Sequence, residues 1–263
     1  MKIIQISDLH LVAPGETVHR LDPLARLRAA IDDINRHHAD AALVVASGDL
    51  ADRGQPSAYR ALAEVLETLV PPYRLMIGNH DDRAAFRAAF PGAPGDRAGF
   101  VQGRVETPAG WVVLLDTVAD GAGHRGAYCK RRAAWLAETL AAIDDGRPRY
   151  LFLHHPPFAI GIPALDKIRL LEPEAFIRAL NGARPPRHMF FGHVHRPVAG
   201  SWRGIPWSAV KSLAHQIALE FTSAERMPYS HDAPGYAVIL LEEESVTVHF
   251  HDFLDQRPLQ DSR

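Results

Sequence analysis

The sequence predicts an α/β fold, and three observations carry that prediction. Short β-branched or apolar runs recur along the chain: "KIIQIS", "ALVVAS", "YRLMIG", "WVVLLD", "RYLFLH" and "HMFFG". Helical patterns lie between most of them. No internal repeat, low-complexity tract or Gly/Ser linker interrupts the alternation. After the first strand, Asp22 fits an N-cap and Pro23 the first helical position, while Leu24, Leu27, Ile31 and Ile34 recur at helical spacing. A second helix begins near Pro56. A third follows "GAYCKRR" and places Leu136, Leu140 and Ile143 on one side. A fourth starts at Pro173 and is expected to bury Phe176, Ile177 and Leu180. Beyond residue 197 the helices stop, and "VAGSW", "YAVILL" and "VTVHFHDF" alternate as strands of an antiparallel or mixed sheet.

Composition bounds the function. A chain of 263 residues with 47% apolar content suits one large domain, taken as residues 1–263, with a core of its own. The formal net charge of −2, from 29 basic and 31 acidic residues, leaves no broad positive footprint for a long nucleic acid. Cys129 is the only cysteine, so no intrachain disulfide can form and any metal must use nitrogen and oxygen donors. "MKIIQISDLH" enters a strand at once, and no stretch approaches the ~20 apolar residues of a membrane span. The expectation is a cytoplasmic protein with no membrane partner.

Polar residues gather where the apolar runs end. "QISDLH" ends with Asp8 and His10, "VVASGDL" with Asp49, "LMIGNHDD" with Asn79 and His80, "LFLHHPP" with His154 and His155, and "FFGHVH" with His193 and His195. In an open α/β fold the carboxyl ends of strands line the binding crevice, so these residues are predicted neighbours in space. Each has a bland reading as a turn or loop residue. That reading gives no reason for all five ends to carry metal-competent groups. The candidate ligands are Asp8, His10, Asp49, Asn79, His154, His193 and His195, a set that suits two ions. Imidazole, carboxylate and carbonyl donors favour Mn, Fe, Co or Zn over Ca or Mg. Two such ions can polarise a phosphoryl oxygen and activate a bridging water for in-line displacement.

The blocks "DLH", "GD", "GNHD", "HHP" and "GHVH", all present and in order, resemble the motif series of the calcineurin-like metallophosphoesterases. The resemblance covers roughly residues 1 to 220 and implies a four-layer α-β-β-α sandwich of two mixed sheets flanked by helices. The strand-rich region from about 197 to 263 would then complete the second sheet, with a small cap left open. Within the family, "SGDLADRGQPSAYRAL", "MIGNHDDRAAF" and "LHHPPFAIG" look most like the bacterial class III cyclic nucleotide phosphodiesterases and the related glycerophosphodiesterases. The implied reaction is hydrolysis of a small phosphodiester by a metal-bridging hydroxide.

Carried over residue by residue, the resemblance implies that Asp8, His10 and His195 hold one divalent ion and that Asn79, His154 and His193 hold the other. Asp49 bridges them. His155 falls behind the ligands or at the substrate. His80 is the implied phosphate contact and acid for the leaving alkoxide, with Asp81 expected to orient its ring. His215 in "SLAHQIA" takes the place of a further substrate histidine. Asn79, His80, His155 and His215 are thus the expected substrate contacts, and His80 and Asp49 the expected catalytic residues. Arg53 in "DRG" has a phosphate-binding counterpart in protein phosphatases, but "GNHD" and Tyr59 follow the bacterial diesterase pattern, so that role is not transferred. His249 and His251 are read as a solvent-facing strand edge. A homo-oligomer, dimer or higher, stays open.

A phosphomonoesterase of the same fold is the runner-up, and a nuclease, which asks for a basic groove, is third. A non-catalytic scaffold would show gaps in the motif series, and none is present. Specificity walls are expected in "APGETVHRL", "VADGAGHRGAY" and "AIGIPALDKI".

Overall fold

The computed structural model describes residues 1–119, 121 and 123–255, so positions 120 and 122 of "VADGAGHRGAY" and the end of the strand-rich region, 256–263, lie outside the described residues. In chain order the elements are β1 (Lys2–Ile6), α1 (Pro23–His37), β2 (Leu43–Ser47), α2 (Pro56–Leu66), β3 (Tyr73–Met76), α3 (Arg83–Ala89), β4 (Gly103–Thr107), β5 (Gly110–Leu115), α4 (Lys130–Ala142) and β6 (Arg149–Leu153). There follow α5 (Pro163–Asp166), α6 (Glu174–Asn181), β7 (His188–Phe191), β8 (Val198–Trp202), β9 (Ile205–Ala209), β10 (Gln216–Ile217), β11 (Tyr229–Ser230), β12 (Tyr236–Leu241) and β13 (Val246–His251).

The strands form two mixed sheets, ordered β13-β12-β1-β2-β3 and β4-β5-β6-β7-β9-β8, with β10 and β11 as a separate ribbon. Strand alternation divides the apolar side chains between three cores. Ile3, Leu43, Val45, Val112, Leu114, Tyr150, Phe152 and Phe190 fill the space between the sheets. The opposite face of the first sheet, with Ile4, Ile6, Val44 and Ala46, packs against α1, α2 and α3. Val113, Leu115, Leu151, Leu153, Met189 and Phe191 of the second sheet pack against α4, α5 and α6. The result is the expected α-β-β-α order of layers.

Local signals explain most elements. The Asp22 carboxylate accepts from the Ala25 amide at 3.0 Å, and α1 buries Leu27, Ile31 and Ile34. In α6, Phe176 and Leu180 are buried but Ile177 is only half-buried, because it stands off the stripe that faces the second sheet. Helix α3 escapes a periodicity reading: it spans seven residues and buries only Phe86, though Asp82 caps it through the Ala85 amide at 2.7 Å.

The strand-rich region differs from expectation. β8 and β9 extend the second sheet, but β12 pairs antiparallel with β1 and carries β13 to the edge of the first. The two sheets share the inner core, so β12 can bury Ala237 and Ile239 there as well as β8 and β9 could beside β7. His249 and His251 are exposed on β13, as expected of an edge.

Candidate metal centre and active site

Strands β1, β2 and β3 run parallel in one sheet, and β6 and β7 run parallel in the other. The loops after these five strands meet at one end of the sandwich. Hydrogen bonds across the sheets lock them: Gln5 donates to the Phe191 carbonyl at 3.1 Å, the His193 amide donates to the Asp8 carboxylate at 3.1 Å, and the His154 ring donates to the Ser47 carbonyl at 2.9 Å. The loop backbone is strained where the candidate ligands sit. Asp8 (φ +54°), His10 (+47°), Asp49 (+49°), His193 (+66°) and His195 (+51°) all occupy the left-handed region, at roughly 1–3 kcal/mol each. Glycine clears the space between them. A Cβ at Gly48, itself at φ +107°, would lie 2.4 Å from His154 Nδ1, and one at Gly78 would lie 2.3 Å from Asp49 Oδ1.

Side-chain atoms of Asp8, His10, Asp49 and His195 lie within 4.8 Å of one another, and so do those of His154, His155 and His193. Asp49 stands between the groups, with Oδ2 3.3 Å from His154 Nε2 and 3.8 Å from His10 Nε2. Tautomer logic shows what the pocket needs. His10 Nδ1 faces the Asp52 carboxylate at 3.1 Å, His195 Nδ1 the His215 carbonyl at 2.8 Å, and His154 Nδ1 the Ser47 carbonyl at 2.9 Å. Each partner only accepts, so each Nδ1 carries a proton and each Nε2 is the atom turned into the pocket, where it can offer its lone pair to a cation. His10 Nε2 and His195 Nε2 face each other at 3.2 Å. Such a contact is attractive only with a proton or a metal cation between the two nitrogens. The Nε2 atoms of His154 and His193 and Asn79 Oδ1 are buried with no hydrogen-bond partner. These donors fit divalent ions.

The electrostatics agree. Burial pushes the Asp8 carboxyl up, but the charge of His195 and its hydrogen bond, with His154 behind, hold it well below the usual carboxylate range. Burial also pushes Asp49 up, and His154 overrides it. Burial pushes His154 down, yet Asp49 and Asp8 raise it to about 9, and Asp8 likewise overrides burial to raise His195. His193 drops to about 3 through burial and the charge of His154. Two buried carboxylates thus draw protons onto neighbouring imidazoles, and a dication would supply that positive charge and release the protons.

Around this centre the expected contacts diverge. His80 stands at the open side, its amide donating to Asp49 Oδ1 at 2.8 Å and its Nδ1 to the Asp52 carbonyl at 2.7 Å. Asp81 does not orient that ring. Its carboxylate accepts from the amides of Leu50, Ala51 and Gly78 and from the Tyr59 hydroxyl, at 2.9–3.0 Å, because the turn after Gly78 folds it back under the Asp49 loop. Burial, then the charge of Asp49, push its pKa up to about 6 while the amides pull it back. His155 is fully buried behind His193, its ring bonded to Thr117 Oγ1 at 2.7 Å, and offers no exposed face to a substrate. His215 is half-buried at the rim, its ring 4.7 Å from that of His195. Arg53 is 73% exposed and lies against Asp52.

Sequence reasoning missed several neighbours. Asp52, the partner of His10, lies in plain view within "GDLAD". His124 reaches Asn79 Nδ2 at 3.0 Å from the "VADGAGHRGAY" loop, and Ser212 donates to the Asp8 carbonyl at 2.7 Å. His124 lies in a loop expected only as a specificity wall, and Ser212 opens the "SLAHQIA" element, which sequence reasoning reads for His215 alone.

Known proteins resemble the chain in sequence and fold. The family profile described as calcineurin-like phosphoesterase matches residues 1–197. The chain is 43% identical over 260 residues, 98% of its length and 95% of the relative's, to a "probable cyclic nucleotide phosphodiesterase" of Rhodopseudomonas palustris. It is 26% identical to a "probable glycerophosphodiester phosphodiesterase" of Arcobacter nitrofigilis, over 95% of this chain and 92% of that one. The fold superposes on a dimetal phosphatase from Danio rerio with a TM-score of 0.70 at 17% identity, covering 97% and 96% of the two chains. With the profile spanning all five loops that build the centre, the chain belongs to the calcineurin-like phosphoesterase family.

Proposed function

We propose that the chain is a hydrolase of small phosphodiesters, of the cyclic nucleotide or glycerophosphodiester type, that works with two divalent ions. The observation that carries this reading is the convergence of the His10, His154 and His195 Nε2 lone pairs on Asp8 and Asp49 in one buried pocket. Asp8, His10 and His195 would hold one ion, Asn79, His154 and His193 the other, and Asp49 would span them. Nitrogen and oxygen donors of this kind suit Mn, Fe, Co or Zn. When bound, the ions polarise the phosphoryl oxygens and make a water nucleophilic at neutral pH.

The chain's own residues do the rest. His80 Nδ1 is committed to a carbonyl, which leaves Nε2 to meet the phosphate and to pass a proton to the leaving alkoxide. The Asp52 carboxylate lies 3.9 Å from the ring. Asp52 also fixes His10, and the His215 carbonyl fixes His195. A diester carries one negative charge, and the one arginine inside a motif block, Arg53, lies against Asp52 at the surface and gives the site no inward fork of the kind a monoester dianion favours. The names of the relatives support a diester substrate. Every donor comes from the two packed sheets, so we take the described chain to act as one domain. No helix among the described residues is long and apolar enough to cross a membrane, and the cytoplasm is our proposed location.

The test compares bis-p-nitrophenyl phosphate with p-nitrophenyl phosphate, Mn-loaded, at one pH, with metal content measured alongside. A diester preference of about tenfold or more in kcat/KM and two ions per chain are expected. An equally strong monoester preference would favour a phosphomonoesterase, and protein that takes up no metal would favour a scaffold.

A further inference from the structure

We infer that the stacked rings of His19 and Tyr229 form the platform on which the planar base of a nucleoside phosphodiester lies, an assignment that rests on the phosphodiesterase reading above. The first support is an unusual turn. Val18 and Leu21 exchange backbone hydrogen bonds of 3.0 and 2.9 Å around the pair His19–Arg20, whose φ angles are +51° and +66°. A two-residue turn with both central φ positive is ordinarily made by Asn-Gly, because side chains with a Cβ are strained there. Here two bulky residues accept the strain, and no hydrogen bond of either side chain is described. What the turn achieves is the placement of His19, whose ring lies against Tyr229 with centroids 3.9 Å apart and planes inclined by 27°.

The second support is continuity with the metal centre. His215 meets His19 edge-on at 4.5 Å and Tyr229 at 6.0 Å, and its other side faces His10 at 5.2 Å and His195 at 4.7 Å. Rings therefore lead from the candidate ligands to the surface. The ladder is also rigid. His195 Nδ1 donates to the His215 carbonyl, Arg196 donates to the Ile217 carbonyl at 2.7 Å, and Ile217 pairs with Tyr229 across the β10–β11 ribbon. The platform is thus held in register with a residue of the centre itself, which lowers the cost of ordering it on binding.

The chemistry selects a base over the other alcohols. Tyr229 is 50% exposed and His19 is exposed, so an aromatic ligand can reach them. A flat heterocycle stacks on such a face over its whole area, which the compact, tetrahedral headgroup of a choline or ethanolamine diester does not. Glycerol has no face to stack.

Two substrates and one product decide the matter: cyclic AMP, methyl p-nitrophenyl phosphate as a diester without a base, and AMP binding by calorimetry on the metal-loaded protein. In Tyr229→Ala, the kcat/KM for cyclic AMP relative to the methyl diester should fall roughly 5- to 150-fold, through KM, with AMP binding weakened to match. Tyr229→Phe, which keeps the ring, should restore both. An unchanged ratio in Tyr229→Ala overturns the platform, and so does wild-type protein that cleaves the methyl diester yet neither cleaves cyclic AMP nor binds AMP. If no diester is cleaved at all, the phosphodiesterase reading fails, and AMP binding by the same variants still decides the platform.

Discussion

Asp81→Asn isolates what the Gly-Asn-His-Asp block does for the fold. Oδ1 of Asp81 accepts from the Ala51 amide and the Tyr59 hydroxyl, both at 2.9 Å, and Oδ2 accepts from the Leu50 amide at 3.0 Å and the Gly78 amide at 2.9 Å. Asparagine keeps one oxygen and turns an NH2 toward donors at the other position. In its better orientation it strands the Ala51 amide and weakens the remaining bonds, which lose their ionic acceptor. One buried amide without a partner costs about 1–3 kcal/mol, so a total loss of about 2–4 kcal/mol is expected. Urea denaturation should show a lower midpoint at an unchanged slope. Because Asp81 ties the Asp49 loop to the Asn79 loop, Mn affinity by calorimetry should also fall, by about 10–100-fold. Tyr59→Phe leaves the three amides bonded to Asp81 but removes both that donor and the acceptor of the Asp82 amide at 3.0 Å, so it should cost about 1–3 kcal/mol without loosening the Mn site. Asp81→Asn within about 0.5 kcal/mol of wild type would refute this account of the clamp.

His80→Ala should retain its metals and lose about 10²–10⁴-fold in kcat, less on diesters with good leaving groups; equal losses on p-nitrophenyl and alkyl diesters would point to positioning alone. Gly78→Ala puts a Cβ 2.3 Å from Asp49 Oδ1 and 2.6 Å from His154 Nε2, so metal content and activity should both collapse, whereas Gly92→Ala, with nothing within 4 Å, should leave both intact. His188 is buried beside Ser208 at 3.0 Å, and burial holds its pKa down at about 4. The unfolded chain takes up that proton first, so stability is full above about pH 6.5 and falls by up to roughly 3 kcal/mol as pH drops toward 4. His188→Gln should flatten that part of the acid loss in denaturation at pH 7 and pH 4.5, and an identical acid loss would exclude His188 as its source.

The candidate centre was legible in the sequence because each strand delivers its donors within a few residues of its own end. Asp8 with His10 and His193 with His195 are short local patterns, and a strand that points at the crevice carries them there whatever the rest of the chain does. The layer order was legible for a similar reason: alternation in "LVVAS" and "RYLFL" already assigns every second residue to one face. Partners and loop directions are not local. Alternation says that β12 has a buried face but not that it pairs with β1, from which residues 7–235 separate it, and only the packed inner core decides that. Asp81, one residue from His80, turns away from it because three backbone amides and a tyrosine hydroxyl outcompete one imidazole for its oxygens. His19, His124 and Tyr229 follow no period at all. Their side chains are aimed by turns, and the positive φ at His19 belongs to a conformation that no pattern of polarity encodes.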